Sequence, residues 1–409
     1  MKQELIVQKY GGSSVGSPER IEKVADRIVS YAKKGHKLAV VVSAMGDTTD
    51  ELIDLASKIN PNPSEREMDM LMSTGEQISS ALLAMAIHKR GHEAVSFTGS
   101  QVGIVTDSVH TKAKIRTIDA KRIHQAQAKG EIVIVAGFQG MSTKREITTL
   151  GRGGSDLSAV ALAVALRADR CEIYTDVDGI YTADPRIVKD ARKLSHITFD
   201  EMLELAARGA QVMQTRAVEV GKKFNMPIYV KSSFSDKEGT VIMEKTPLIE
   251  ESVVRGVALA EHEAKITICD VPDKPGIASS IFSALASDNV NIDMIVQNVS
   301  HKKFTDISFT VTKDSLARAL KVAKKTAQKM EAGAVISDEN VAKVSVVGVG
   351  MKSQSGVAAK TFSALSKNKI NIDMISTSEI SISCVVRKDV GRDALKVLHK
   401  AFNLDKVKA

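Results

Sequence analysis

The sequence predicts an α/β protein: a three-layer αβα domain on a mostly parallel central sheet, followed by two ferredoxin-like βαββαβ units. Two observations carry this. Over roughly the first 245 residues, apolar runs suited to strands alternate with helical patterns, as in a parallel sheet covered on both faces. After residue 250 the texture changes, and the chain repeats itself at an offset of 80 residues.

The strand candidates of the first part are "LIVQKY" (5–10), "KLAVVVSAM" (37–45), "EAVSFTG" (93–99), "EIVIVAGF" (131–138), "CEIYTDV" (171–177) and "PIYVKSS" (227–233). Several are almost continuously apolar, as strands buried on both faces must be. The first helix is well punctuated. Ser17 is its expected N-cap, Pro18 its first residue and Glu19 lies in its first turn, while Lys33, Lys34 and Gly35 mark its end.

In the repeat, "DKPGIASSIFSALASDNVNIDMIVQN" (273–298) aligns without a gap to "SQSGVAAKTFSALSKNKINIDMISTS" (353–378). Upstream, "AKITI" (264–268) matches "AKVSV" (342–346). Each unit reads β-α-β-β-α. The first copy closes with "AVIS" (334–337), but the second ends on the helix "GRDALKVLHKAF" with no closing strand. An unclaimed strand, "VVRGVALA" (253–260), precedes the first copy, and we expect it to fill the edge missing from the second. The expected domains are 1–248, 263–338 and 342–405, with 253–260 completing the last.

Composition excludes several classes. The chain is 43% hydrophobic and 26% charged, like an ordinary water-soluble protein. Without tryptophan, and with its basic residues spread out, it offers no stacking surface for nucleic acid, and the formal charge of +8 reads as solubility. Cys171, Cys269 and Cys384 lie far apart with no metal spacing, as buried thiols of a reducing compartment do. No run is long enough for a membrane span and no apolar leader is seen, so a cytoplasmic location is expected.

Five stretches carry chemistry. "QKYGGSS" (8–14) ends the first strand with a lysine and two glycines before a helix. "GRGGSDLSAVALAVALRA", from Gly151, is neither a Walker loop nor a dinucleotide fingerprint; its glycines at a helix N-terminus, with Arg152, suit an anion. "TDVDGIYTADPR" (175–186) is too irregular for an EF-hand; Asp176 and Asp178 face a nucleotide or a metal, or simply belong to a solvated loop. "VSAMGDTTDEL" (42–52) ends an apolar strand in a polar loop, where open α/β sheets bind ligands, and "STGEQIS" (73–79) puts Glu76 near a helix start.

Taken in order, "KYGGSSVG", "SAMGDTTDEL", "MDMLMSTGEQ", "FTGSQVGI", "VAGFQG", "TTLGRGGSD" and "YTDVDGIYTADPR" resemble the aspartate kinases of the amino-acid kinase family. The C-terminal repeat resembles the paired ACT domains of those enzymes, and the likeness covers essentially the whole chain. It implies transfer of a phosphoryl group from ATP, with Mg²⁺ on the phosphates, to the side-chain carboxylate of L-aspartate. That nucleophile, with a pKa of about 3.9, is already ionised at neutral pH, so no general base is needed. By the resemblance, Lys9 neutralises the transferring group, the amides of Gly11, Gly12 and Ser13 hold its oxygens, and Asp156 orients the lysine. Arg152 and Gly153 clamp the α-carboxylate of aspartate, Glu76 takes its ammonium, and Asp47, Thr48 and Thr49 line the same substrate loop. Ser43, Ser155, Thr175, Asp176, Tyr181, Arg186 and Lys231 line the nucleotide site, and no dedicated protein ligand for a metal is expected. The chain departs from many relatives in having Gln214-Thr215 before Arg216 where they carry His-Pro, which is expected to alter how residues 209–220 pack.

The ACT resemblance implies binding of lysine, threonine or both as feedback effectors, and pairing of subunits into a homodimer or higher oligomer. Effector candidates are Asp273, Gly276, Ala278, Asn291 and Gln297 in the first copy. In the second they are Met351, Val357, Asn371, Ile372, Thr377 and Glu379. "SQSG" replaces "DKPG" in the second copy, so the two sites are expected to be unequal. Two alternatives stand beside this reading. A kinase of the same fold acting on another acceptor shares Lys9 and the glycines but not usually two ACT-like repeats, and an amino-acid sensor without activity is expected to have lost the phosphate-handling residues.

Overall fold

The computed structural model describes residues 3–209, 212–246, 252–298, 304–352 and 355–406. The expected boundary at 248, and Ser353 and Gln354 of "SQSG", lie outside them. The central sheet holds β1 (Leu5–Tyr10), β2 (Lys37–Val42), β3 (Ala94–Phe97), β4 (Ile132–Ala136), β5 (Arg170–Thr175), β6 (His196–Thr198), β7 (Ile228–Ser232) and β8 (Thr240–Met243). Their order is β6-β8-β7-β5-β1-β2-β4-β3, and each neighbouring pair is parallel except β7–β8. The six strands expected from sequence are all present. β6 and β8 are too short to show a periodicity. So are the members of a second, four-stranded sheet made by Ile115–Ile118, Ile104–Thr106, Gln139–Ser142 and Ile147–Thr149.

Among the described residues this domain has seven helices: α1 (Pro18–Lys33), α2 (Thr48–Ile59), α3 (Glu65–His88), α4 (Lys121–Ala128), α5 (Gly154–Leu166), α6 (Phe199–Ala207) and α7 (Thr215–Phe224), of which α2 packs on α3 and not on the sheet. Strand side chains alternate between faces. Ile6, Tyr10, Val40 and Ile134 pack on α1 and α3, whereas Val7, Val41, Val133 and Ile173 pack with α4, α5 and α7 on the opposite side. α1 starts where Ser17 caps it, its hydroxyl accepting from the Arg20 amide at 3.4 Å. α3 is tied to the small sheet by buried Asp69, which accepts from the Thr149 hydroxyl at 2.6 Å and the Thr111 amide at 3.0 Å.

The repeats share one sheet. Its strands are β9 (Gly256–Pro272), β10 (Ile295–Gln297), β11 (Phe304–Thr312), β12 (Val335–Val347), β13 (Met374–Thr377) and β14 (Ser381–Arg387), in the order β10-β11-β9-β12-β14-β13. α8 (Ile277–Ser287), α9 (Lys313–Lys329), α10 (Val357–Lys367) and α11 (Gly391–Ala401) pack on it. β9 and β12 each serve both copies. Gly256–Ala260 pairs antiparallel with Lys343–Val347, and after a register shift Lys265–Ile268 pairs with Val335–Asp338. The sheet bends enough that its edge strands β10 and β13 approach each other, and Met294, Val341, Met374 and Val385 share a small core. The second copy also shares a core with the first domain, where Ala183 and Val188 join Val344, Leu395 and Leu398.

Candidate active site

Most of the expected site residues gather at the carboxyl ends of the parallel strands, the end where open α/β sheets bind ligands. The chain leaves β1 through a single turn of 3-10 helix, Gly12–Ser14. The Gly11 N–H donates to the Tyr174 carbonyl at 3.2 Å, continuing the β1–β5 ladder. That amide is therefore committed, and the turn presents those of Gly12 and Ser13. Gly12 must be glycine: a Cβ there would sit 2.9 Å from the Ala44 carbonyl and 3.0 Å from that of Gly46. The Gly46 N–H in turn donates to the Gly12 carbonyl at 3.1 Å, so the loops after β1 and β2 are clamped together. Ser14 ties the turn to the end of β7 through the Ser233 hydroxyl, at 2.5 Å.

Lys9 points into this junction. Its ammonium lies 2.6 Å from Asp156 Oδ1, with both side chains about a tenth exposed. Asp156 stands in the first turn of α5, whose N-cap Gly153 has φ +75°, and the Gln214 amide donates to its Oδ2 at 3.4 Å. Ser155 is buried beside it, close against Gly137 at the end of β4.

The substrate-side residues come from α2, α3 and the loop after β2. Asp47 is the N-cap position of α2, and Thr48 and Thr49 open that helix. Ser43 is anchored where its carbonyl accepts from the Ser79 hydroxyl at 2.7 Å. Glu76, on α3, is 3% exposed. Its Oε1 accepts from the Ala44 amide at 3.3 Å, while Oε2 is buried with no partner in the protein. Burial pushes this carboxyl up to about 7, against smaller opposing pulls from its own amide and that of Ala44. Arg152 stands apart: its side chain is 90% exposed and reaches Asp50 of α2 at 3.3 Å, bridging the α5 loop to the substrate loop rather than approaching Lys9.

On the other side, the Thr175 hydroxyl donates to Asp176 at 3.0 Å. Tyr181 is half-buried and bridges to Lys193, and Arg186 is exposed and paired with Asp184 at 2.8 Å. Lys231 lies on the sheet face, its ammonium 2.9 Å from buried Glu172. It lines a groove of about 710 Å³ between α1 and the 235–239 turn, together with Arg27, Tyr31, Tyr174 and Lys237. Across the molecule, a crevice of about 340 Å³ between α5, α7 and Ile115–Ile118 contains none of the expected residues. Among the described residues, no group of three or more His, Cys, Asp and Glu side chains could hold a metal unaided.

Sequence reasoning flagged Gln214 only as a departure that alters packing, and it missed the Glu172 cluster altogether. Gln214 touches both Asp156 and the Arg152 carbonyl. The Glu172 cluster joins Gln8, Arg170, Tyr174 and Lys231, and its signal is a polar side chain at every second position of neighbouring strands.

The effector candidates spread over the two copies. Gly276 and Gly356 cap α8 and α10 in the same left-handed conformation, φ +93° and +98°, with open space where a Cβ would stand. Asp273 and Asn291 are exposed, Ala278 is half-buried, and Gln297 is exposed on edge strand β10. In the second copy Val357 is buried, Met351 and Ile372 are half-buried, and Asn371, Thr377 and Glu379 are exposed, Thr377 on edge strand β13. Polar links join both copies to α6: Arg208 pairs with Asp293 at 3.1 Å, and the Ser378 hydroxyl donates to Glu204 at 3.4 Å.

Comparison with known proteins identifies the family. Residues 4–232 match the model of the amino acid kinase family, and 270–326 and 344–402 match an ACT domain model. The chain is 52% identical to an aspartate kinase of Stutzerimonas stutzeri, over 98% of each. It is 51% identical to the aspartokinase of Pseudomonas aeruginosa, again over 98% of each. Among solved structures it resembles E. coli aspartokinase III in complex with aspartate and ADP, with a TM-score of 0.83, 25% identity, and coverage of 97% of this chain and 99% of that one. The same enzyme in complex with lysine and aspartate matches with a TM-score of 0.76 and 26% identity, over 98% of this chain and 100% of that one. Among the described residues no helix is long and apolar enough to cross a membrane. With these matches running nearly end to end, the chain belongs to the aspartate kinases of the amino acid kinase family, with ACT domains behind the catalytic domain.

Proposed function

We propose that the chain transfers the γ-phosphoryl group of ATP to the side-chain carboxylate of L-aspartate, giving 4-phospho-L-aspartate and ADP, and so opens the route to lysine, threonine and methionine. The observation that carries this is the Lys9–Asp156 pair, held at 2.6 Å beside the Gly12 turn. A carboxylate oxygen forms the new bond to phosphorus, and the bond to the bridging oxygen breaks with its electron pair leaving on ADP. The acceptor arrives ionised, so the protein must neutralise charge rather than remove a proton. Lys9 supplies a cation at the transferring group and the Gly12 and Ser13 amides supply donors. Asp156 fixes the lysine. Glu76, with one oxygen left free, takes the ammonium of aspartate, and Arg152 folds over its α-carboxylate. The 710 Å³ groove beside the 235–239 turn has the size of a nucleotide pocket. Mg²⁺ carried by the ATP phosphates would supply further charge neutralisation.

Regulation by lysine, threonine or both follows the same reading. The aspartokinase III complex contains lysine, and the Arg208–Asp293 and Glu204–Ser378 contacts give the ACT domains a grip on the catalytic domain. Subunit pairing through the ACT sheet and a cytoplasmic location belong to this reading as well.

The test is direct. Supplied with ATP, Mg²⁺ and single amino acids, the protein should yield a hydroxamate with aspartate when hydroxylamine traps the acyl phosphate. Absence of hydroxamate with aspartate would sink the reading. For regulation, lysine and threonine binding is measured by calorimetry on wild type and Asp273→Ala, and unchanged affinity for both removes Asp273.

A further inference from the structure

Gln214 occupies the N-cap position of α7 (φ −70°, ψ 128°) yet caps nothing, since its side chain accepts no hydrogen bond from the helix amides. It reaches into the neighbouring loop instead. Its Nε2 donates to the Arg152 carbonyl at 3.0 Å, and its backbone N–H donates to Asp156 Oδ2 at 3.4 Å. The side chain lies along Gly153, where a Cβ would come within 3.1 Å of Gln214 Cβ and 3.2 Å of its Cγ. The amide oxygen Oε1 is buried without a partner, so the bond to Arg152 is what orients the group. Two residues on, Arg216 donates from its two terminal nitrogens to the Leu150 and Ala113 carbonyls, each at 2.8 Å, and braces the same loop. The start of α7 therefore holds residues 150–156 at several points, and Gln214 alone among these contacts spans both Arg152 and Asp156.

We infer that Gln214 is a positioning residue for phosphoryl transfer: it holds the Arg152 backbone and the Asp156 carboxylate in one frame, so that Arg152 and Lys9 address the same aspartate. This rests on the roles given to Lys9 and Arg152 above. Gln214 acts through these residues and not on the substrate. Its two bonds serve different halves of the site. The side chain governs the aspartate-binding loop, and the backbone amide governs the carboxylate that orients Lys9.

Two full-length variants separate them. Gln214→Met keeps the volume and removes the side-chain donor; the KM for aspartate should rise about three- to tenfold, with the KM for ATP and the Tm unchanged. Gln214→Pro also removes the N–H, and the ring's φ near −65° suits the native angle. Its kcat should fall about tenfold or more below that of Gln214→Met, because the lost bond goes to a charged group. A Gln214→Met enzyme with wild-type KM for aspartate overturns the inference, as does a lowered Tm with unchanged kinetics, the mark of a purely structural contact. Circular dichroism checks each fold, and if Gln214→Pro is unfolded the Met variant decides alone. A wild type that forms no hydroxamate with aspartate removes the functional reading and this inference together. An active wild type with kinetically normal variants removes only the role of Gln214.

Discussion

Glu76 and Glu172 are both buried carboxylates of the catalytic domain, 3% and 0% exposed, and they have opposite surroundings. Glu172 receives donors from Gln8 at 3.0 Å, Tyr174 at 3.0 Å, Arg170 at 3.0 Å and Lys231 at 2.9 Å. Burial pushes its carboxyl up, but Lys231 and Arg170 outweigh this and hold it below the ordinary glutamate value. Glu76 has one amide at 3.3 Å and a bare oxygen, and burial wins, lifting it to about 7. A saturated buried acid is finished structure. An undersatisfied one costs folding energy that a ligand can return. Glu172 pins the three strands β1, β5 and β7 together, whereas Glu76, on α3 against the loop after β2, keeps one oxygen bare, the one proposed above for the ammonium of aspartate.

The contrast is broken hardest at Glu172. Glu172→Ala strands the Lys231 ammonium and leaves Arg170 with Glu4 alone, and it should lower unfolding free energy by about 3–5 kcal/mol in urea titrations, with turnover per folded molecule retained. A loss under about 1 kcal/mol would deny the cluster its structural role. Glu76→Gln should behave in the opposite way. The KM for aspartate should rise about 10- to 100-fold, the worth of a lost bond to a charged group, with little change in kcat.

The pH profiles sharpen the difference. Glu76 must be ionised to bind an ammonium, so wild-type kcat/KM for aspartate should fall below pH 7 by about tenfold per unit, and this limb should vanish in Glu76→Gln. For stability the signs run the other way. The raised Glu76 favours the folded state below about 4.5, and that benefit is lost as pH rises through about 7. Glu76→Gln should therefore gain about 1–3 kcal/mol over wild type at pH 8 and nothing at pH 4. The lowered Glu172 contributes stability above the ordinary glutamate value and loses it as pH falls through its own. The smallest effect belongs to Tyr31→Phe. Its hydroxyl is 3.5 Å from Glu172 Oε1, one weak donor among several, and its loss should cost at most about 1 kcal/mol in the same titration.

Much of the fold was legible because it is written in periodicities. Buried strands such as "EIVIVAGF" and a repeat at a fixed offset of 80 residues leave long signals. β6, β8 and the small sheet leave none, since three or four residues cannot establish an alternation; β8 is placed by pairing onto β7 and β6 by pairing onto β8, and the small sheet is tied to α3 through Asp69 and Thr149. At the site, Lys9 and Asp156 were each readable as residue types beside glycines, and the ion pair between them exists only once β1 and α5 lie side by side. Arg152 shows what remained hidden. Its position on the loop could be read, but its exposure and its hold on Asp50 depend on where α2 begins. Gln214 was legible as a departure, since Gln214-Thr215 stands before Arg216 where many relatives carry His-Pro, but its bonds to Asp156 and to the Arg152 carbonyl exist only once α5 and α7 lie side by side.

The shared strands of the ACT sheet have a consequence for where the chain can be cut. The segment that pairs with Lys343–Val347 of the second copy is Gly256–Ala260, which lies ahead of the first copy, whereas the strands of the first copy all lie within 263–338. A break anywhere between 261 and 341 therefore parts the second copy from a strand of its sheet, and a fragment beginning after the first copy starts with an open edge.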